Sequence, residues 1–164
     1  MASQDTRVVL VLDTNVVLDL LVFGDPAVAS LKQALEGDAA HWLTTGAMRA
    51  EFERVLAYPD ISARLQLLHL NREHVLAHYD RLGRTRAPAP LAAVRCSDRD
   101  DQIFIDLAVA HQTVLLSKDR AVLRLRKRLA MLGVEVKAAL QEGDLDNSSC
   151  SRKLCALESG QDCR

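Results

Sequence analysis

The chain has 164 residues, 49% hydrophobic and 26% charged, which are the proportions of one ordinary globular domain and not of a disordered segment. Lys and Arg number 21 against 22 Asp and Glu, a net charge of −1, which excludes a protein that holds nucleic acid by bulk positive charge. Aromatic residues are only 4%, which argues against base-stacking surfaces and against most β-sandwiches.

The first residues carry Asp5 against Arg7, and the apolar run Val8 to Leu12 is soon cut by Asp13, Asn15 and Asp19. Neither a signal peptide nor a membrane span is expected, so a cytoplasmic protein with reduced thiols follows. VVLVL at 8–12 is β-branched and unalternating, which suits a strand buried on both faces. From Val16 a short apolar helix runs to Gly24, and Pro26 starts a second helix stopped by Gly37. HWLTT at 41–45 is the next strand, followed by a helix whose Met48, Phe52, Val55 and Leu56 recur at helical spacing before Tyr58-Pro59 ends it. Residues 60–83 predict two helices, the second capped by Asn71, and 83–90 a proline loop. A helix is expected over 98–111 with Asp98 as its N-cap, a strand over 113–117, one strongly basic helix over 120–132 and a last strand after Gly133. Strands alternating with helices predict an α/β fold built on a parallel sheet. The expected domain covers 1–140, and 141–164 reads as a polar, flexible tail.

The acids stand where strands meet helices. Asp13 follows the first strand and Asp119 follows the strand ending near Leu116, so both belong at the carboxyl edge of the sheet, where open α/β folds bind ligands. Glu51 and Asp101 fall in phase with the apolar stripes of their helices and point inward. Inward carboxylates repel one another unless a cation supplies counter-charge, and all-oxygen donors favour Mg²⁺ or Mn²⁺. Such an ion also activates water for attack on a phosphodiester. The plainer roles are a loop start for Asp13, a solvent-reaching stripe edge for Glu51, dipole compensation for Asp101, and helix capping for Asp98 and Asp119.

Four blocks stand in order along the chain: VVLVL-Asp13-Thr-Asn, TTGAMRA-Glu51-FERVLAYP, Cys96-Ser-Asp98-Arg-Asp-Asp101-QIFIDLA and LLSK-Asp119. Together they resemble the PIN domain family. The likeness spans roughly residues 7–137 and is nearest to the branch of putative toxin components of toxin–antitoxin systems. It implies a three-layer, Rossmann-like α/β fold with a central parallel sheet of four to five strands flanked by helices, and Mg²⁺- or Mn²⁺-dependent ribonuclease activity. By position it makes Asp13, Glu51, Asp101 and Asp119 the catalytic, metal-binding quartet, with Asn15, Ser117 and Asp98 supporting. It also implies an RNA substrate, a cognate antitoxin protein and a homodimer. Arg99 stands where that branch has Pro, and Lys118 where Gly precedes the last acid, which puts a cation beside the site. A PIN-like module that binds RNA or protein without turnover is the alternative function, prompted by Lys118.

Arg120, Arg124, Lys127 and Arg128 align as one basic stripe on the expected helix and are the RNA-backbone contacts, with Arg84 and Arg86 weaker candidates; a solvated face is the plainer reading. His74 and His78 lack the zincin pattern, and Cys150, Cys155 and Cys163 match no zinc ribbon or finger. Asn15 stands where a haloacid-dehalogenase-like phosphatase needs a second Asp, and no nucleotide-binding or serine-hydrolase motif occurs.

Overall fold

The computed structural model describes residues 7–145; the cysteines of the C-terminal segment and most of the expected tail lie outside them. The strand β1 (Val8–Leu12) ends at Asp13, whose carboxylate caps α1 (Thr14–Leu18). A π-helical turn, Asp19–Phe23, continues α1 to Gly24, where a φ of +60° breaks the helix and suits glycine. A 3₁₀ turn at Pro26–Val28 leads into α2 (Ala29–Glu36), then β2 (Ala40–Thr45) and α3 (Gly46–Leu56). After Tyr58-Pro59 the chain forms α4 (Pro59–Leu67) and α5 (Arg72–Leu82), the latter capped by Asn71 as its sequence predicts.

The segment over 83–90 departs from expectation. Gly83–Arg86 forms β3, an edge strand parallel to β2, and only the remainder is loop. Its Gly-Arg-Thr-Arg sequence hides the strand because both faces are mostly exposed. Gly83 is required by close approach: a Cβ there would meet the Tyr79 carbonyl oxygen at 3.0 Å and the Thr44 methyl at 3.1 Å.

The helix α6 (Arg99–His111) begins at Asp98, and β4 (Val114–Leu116) follows it. The single basic helix expected over 120–132 is instead two pieces, α7 (Arg120–Leu123) and α8 (Arg126–Ala130). The tight Leu125 N–H to Val122 carbonyl bond at 2.9 Å interrupts the α-helical ladder between them, which lets Val122 and Leu129 both reach the core. The last strand, β5, is Glu135–Lys137. A 3₁₀ turn at Glu142–Asp144 is tied back by an ion pair between Lys137 and Asp144, so the chain stays on the domain to the end of the described residues.

Among the described residues the five strands form one parallel sheet in the order β3-β2-β1-β4-β5. Successive residues of each inner strand serve opposite layers. Leu10, Leu12, Trp42 and Leu116 pack with side chains of α1, α2, α3 and α5, whereas Val11, Leu43 and Leu115 pack with those of α6, α7 and α8. The chain winds from β1 outward through β2 to β3, then returns to place β4 on the other side of β1. The crevice at a parallel sheet's carboxyl edge opens where that order reverses, here between β1 and β4. No single helix among the described residues is long and apolar enough to cross a membrane.

Candidate metal centre

The register of β1 and β4 pairs Leu12 with Leu116, so Asp13 and Ser117 leave the sheet side by side at the switch point. Asp13 is 2% exposed. Its Oδ1 accepts the Val16 N–H at 2.8 Å, while Oδ2 is buried and has no hydrogen-bond partner among the described residues. Burial pushes its carboxyl above the usual range, and Asp119 pushes it further. Ser117 and the backbone N–H groups of Val16 and Lys118 pull the other way without completing a bond to Oδ2.

Asp119 enters from β4. Its Oδ1 accepts the Ala121 N–H at 2.7 Å, and its own N–H donates to the fully buried Ser117 Oγ at 3.1 Å. Asp98 and Asp101 come from the start of α6, which is fixed by a lashed loop. The Ala92 N–H donates to Asp106 Oδ1 at 2.8 Å and the Cys96 N–H to Gln102 Oε1 at 2.7 Å, both acceptors being on α6. Asp98 caps α6 through the Asp100 N–H at 2.9 Å, and Asp101 lies one turn in.

One carboxylate oxygen from each of Asp98, Asp101 and Asp119 lies within 4.8 Å of the others. Asp101 Oδ2 is a second buried oxygen without a partner among the described residues. Burial and the neighbouring charges of Asp119, Asp98, Asp13 and Asp100 push the Asp101 carboxyl up to about 6. Converging acids with orphaned buried oxygens, all hard donors, fit a divalent cation better than any pairing within the chain.

Asp13 and Asp101 also line a cleft of about 370 Å³ with Asn15, Glu51 and Asp100. Glu51 reaches that cleft on α3, but its carboxylate pairs with Arg54 one turn on. Lys118 is turned away from the cluster: its Nζ lies 2.5 Å from Asp19 and 3.5 Å from Asp25. Arg120, Arg124, Lys127 and Arg128 are all exposed, spread over α7, the break and α8 instead of one helix. His78 sits 3.8 Å from Glu36, half-buried on α5, while His74 is exposed. The sequence reading missed Tyr58, Asp60 and Ile61, which also line the cleft. Only the tertiary placement of α4 brings them there, and no local pattern signals it.

The family model described as a PIN domain matches residues 9–121, a span that contains Asp13, Glu51, Asp98, Asp101 and Asp119 and ends just after the last of them. No curated protein matches the chain.

Proposed function

This chain belongs to the PIN domain family, and from that premise we propose that it is a metal-dependent endoribonuclease and the toxin of a toxin–antitoxin pair. The observation that carries the nuclease assignment is the pair of buried, unpartnered carboxylate oxygens, Asp13 Oδ2 and Asp101 Oδ2, beside the Asp98–Asp101–Asp119 cluster. Asp13, Asp98, Asp101 and Asp119 are the residues that would hold Mg²⁺ or Mn²⁺, with Glu51 at the rim. When bound, such an ion supplies counter-charge, activation of water and polarisation of the phosphodiester.

The chain's own groups orient the rest. Ser117 fixes the turn that presents Asp119, and the Asp106 and Gln102 lashing fixes the turn that presents Asp98. The substrate strand would enter the cleft beside these acids, and the exposed Arg120, Arg124, Lys127 and Arg128 beyond Asp119 would be its backbone contacts. Lys118, neutralised by Asp19 and Asp25, leaves the site's charge to the acids, which favours turnover over a binding-only module.

The toxin role rests on the resemblance of the four sequence blocks to that branch of the family. RNA is then the substrate, a cognate antitoxin protein the partner, and the active form a homodimer. Incubation of RNA with Mg²⁺ or Mn²⁺ gives internal cleavage that EDTA and Asp13→Asn both abolish; cleavage surviving both refutes the assignment. Induced expression arrests growth unless Asp13→Asn is present, and normal growth with active enzyme refutes the toxin role.

A further inference from the structure

The chain has one Trp, two Tyr and three Phe. Trp42, Phe52, Tyr79 and Phe104 are buried in the core. The remaining two rings, Tyr58 at 53% and Phe23 at 37% exposure, line two adjoining hollows. Tyr58 belongs to the acidic cleft and Phe23, with Arg64, to the second; Asp60 and Ile61 line both, so the two hollows meet in one groove. The Arg64 guanidinium lies 5.9 Å from the centre of the Phe23 ring. A fold that buries its other aromatics leaves these two in water beside the candidate reaction centre, with a cation at the far end.

We propose that this groove is a nucleotide subsite, resting on the nuclease assignment above: Tyr58 stacks on the unpaired base next to the scissile phosphate, and Arg64 contacts the following phosphate. Unpaired RNA bases are recognised by stacking on aromatic rings, and arginine pairs with phosphodiester oxygens. Asp60, which lines both hollows, is a pure acceptor when ionised, so it favours guanine, whose N1–H and N2 amino group offer two adjacent donors, over uracil, which offers only its N3–H. An apolar segment of a protein partner is the competing occupant. The exposed groups here are aromatic and cationic, and the groove opens directly from the acids, which favours the nucleotide.

The test compares single-stranded RNA oligonucleotides, intact or with one abasic residue beside the cleavage position, in the presence of Mn²⁺. The readout is the ratio of kcat/KM values, or of Kd values from fluorescence anisotropy if wild type cleaves neither. Stacking predicts an intact-to-abasic preference of about tenfold for wild type. Tyr58→Phe keeps that preference, Tyr58→Ala brings it near one, and Asp60→Asn narrows the discrimination against uracil. A ratio near one for wild type, or one that Tyr58→Ala leaves unchanged, overturns the subsite and leaves the groove to a protein segment. Absence of cleavage with the Tyr58-dependent preference intact removes the nuclease assignment alone.

Discussion

Asp13→Asn separates the chemical role of the site from its role in the fold. Asparagine keeps the acceptor that caps α1, so the 2.8 Å bond from the Val16 N–H survives. What disappears is a carboxylate at 2% exposure whose Oδ2 has no partner and whose protonation is favoured by burial. A buried polar group without a partner costs about 1–3 kcal/mol and more when charged; the Asn amide still fills the place of Oδ2, so the gain is the loss of the buried charge, about 1–2 kcal/mol for the metal-free protein. For a chain of this size that is roughly 2–8 °C in Tm. A bound cation reverses the order. At a hundredfold excess over Kd, Mn²⁺ stabilises wild type by about 2.7 kcal/mol, or roughly 5–11 °C, and the variant hardly at all. Thermal melts in EDTA and in excess Mn²⁺ should therefore cross, with the variant higher in EDTA and wild type higher with metal. Wild type unmoved by millimolar Mn²⁺, or a variant that melts lower in EDTA, refutes the reasoning.

The pH dependence has a definite sign. The Asp101 carboxyl moves from an ordinary 3.8 to about 6 on folding, so the folded state binds the extra proton. Metal-free stability then falls as pH rises from about 4 to about 6, with Asp13 acting in the same direction, while His78, held below its usual 6.5 by burial, pulls the other way as pH climbs toward 6.5. Asp25, Asp38 and Asp144, held below the usual value, oppose this only beneath pH 4; urea unfolding in EDTA that shows stability rising between pH 4 and 6 contradicts the assignment. Arg54→Ala frees Glu51 from its ion pair and raises Mn²⁺ affinity a fewfold by titration calorimetry, at less than about 1 kcal/mol of stability. Lys118→Ala strands the half-buried Asp19 and lowers stability by about 1 kcal/mol in urea melts, with no gain in Mn²⁺ affinity; tighter metal binding would instead mean that Lys118 competes for the site.

Much of this site is written in local patterns. Asp13 and Asp119 follow strands legible as short apolar runs, and the strand-end rule brings them together without further information. The inward phase of Asp101 is equally local. Asp98 reads locally as a cap, and its second role emerges only because α6 ends its approach against β4. Glu51 has the right phase, yet its carboxylate pairs with Arg54, an exposed cation one turn away that the helical pattern treats as solvent-facing. β3 is illegible because an exposed edge strand needs no apolar alternation, only the backbone of β2 beside it. The break between α7 and α8 is likewise set by what Val122 and Leu129 must reach, and basic residues around it carry no trace of that demand.

Asp13, Asp98 and Asp119 each commit one oxygen to the first turn of a helix. Few side chains do that job well: Asp, Asn, Ser and Thr are short enough, and among them only Asp carries a charge. Mutational drift at these three positions is therefore confined. Glu, His or Cys would keep a ligand atom but release the turn that aims it, whereas Asn or Ser would keep the turn and lose the charge. A descendant of this chain that abandons catalysis is thus free to preserve its shape through three conservative replacements, and one that exchanges its ion for a softer metal must first rebuild the starts of three helices.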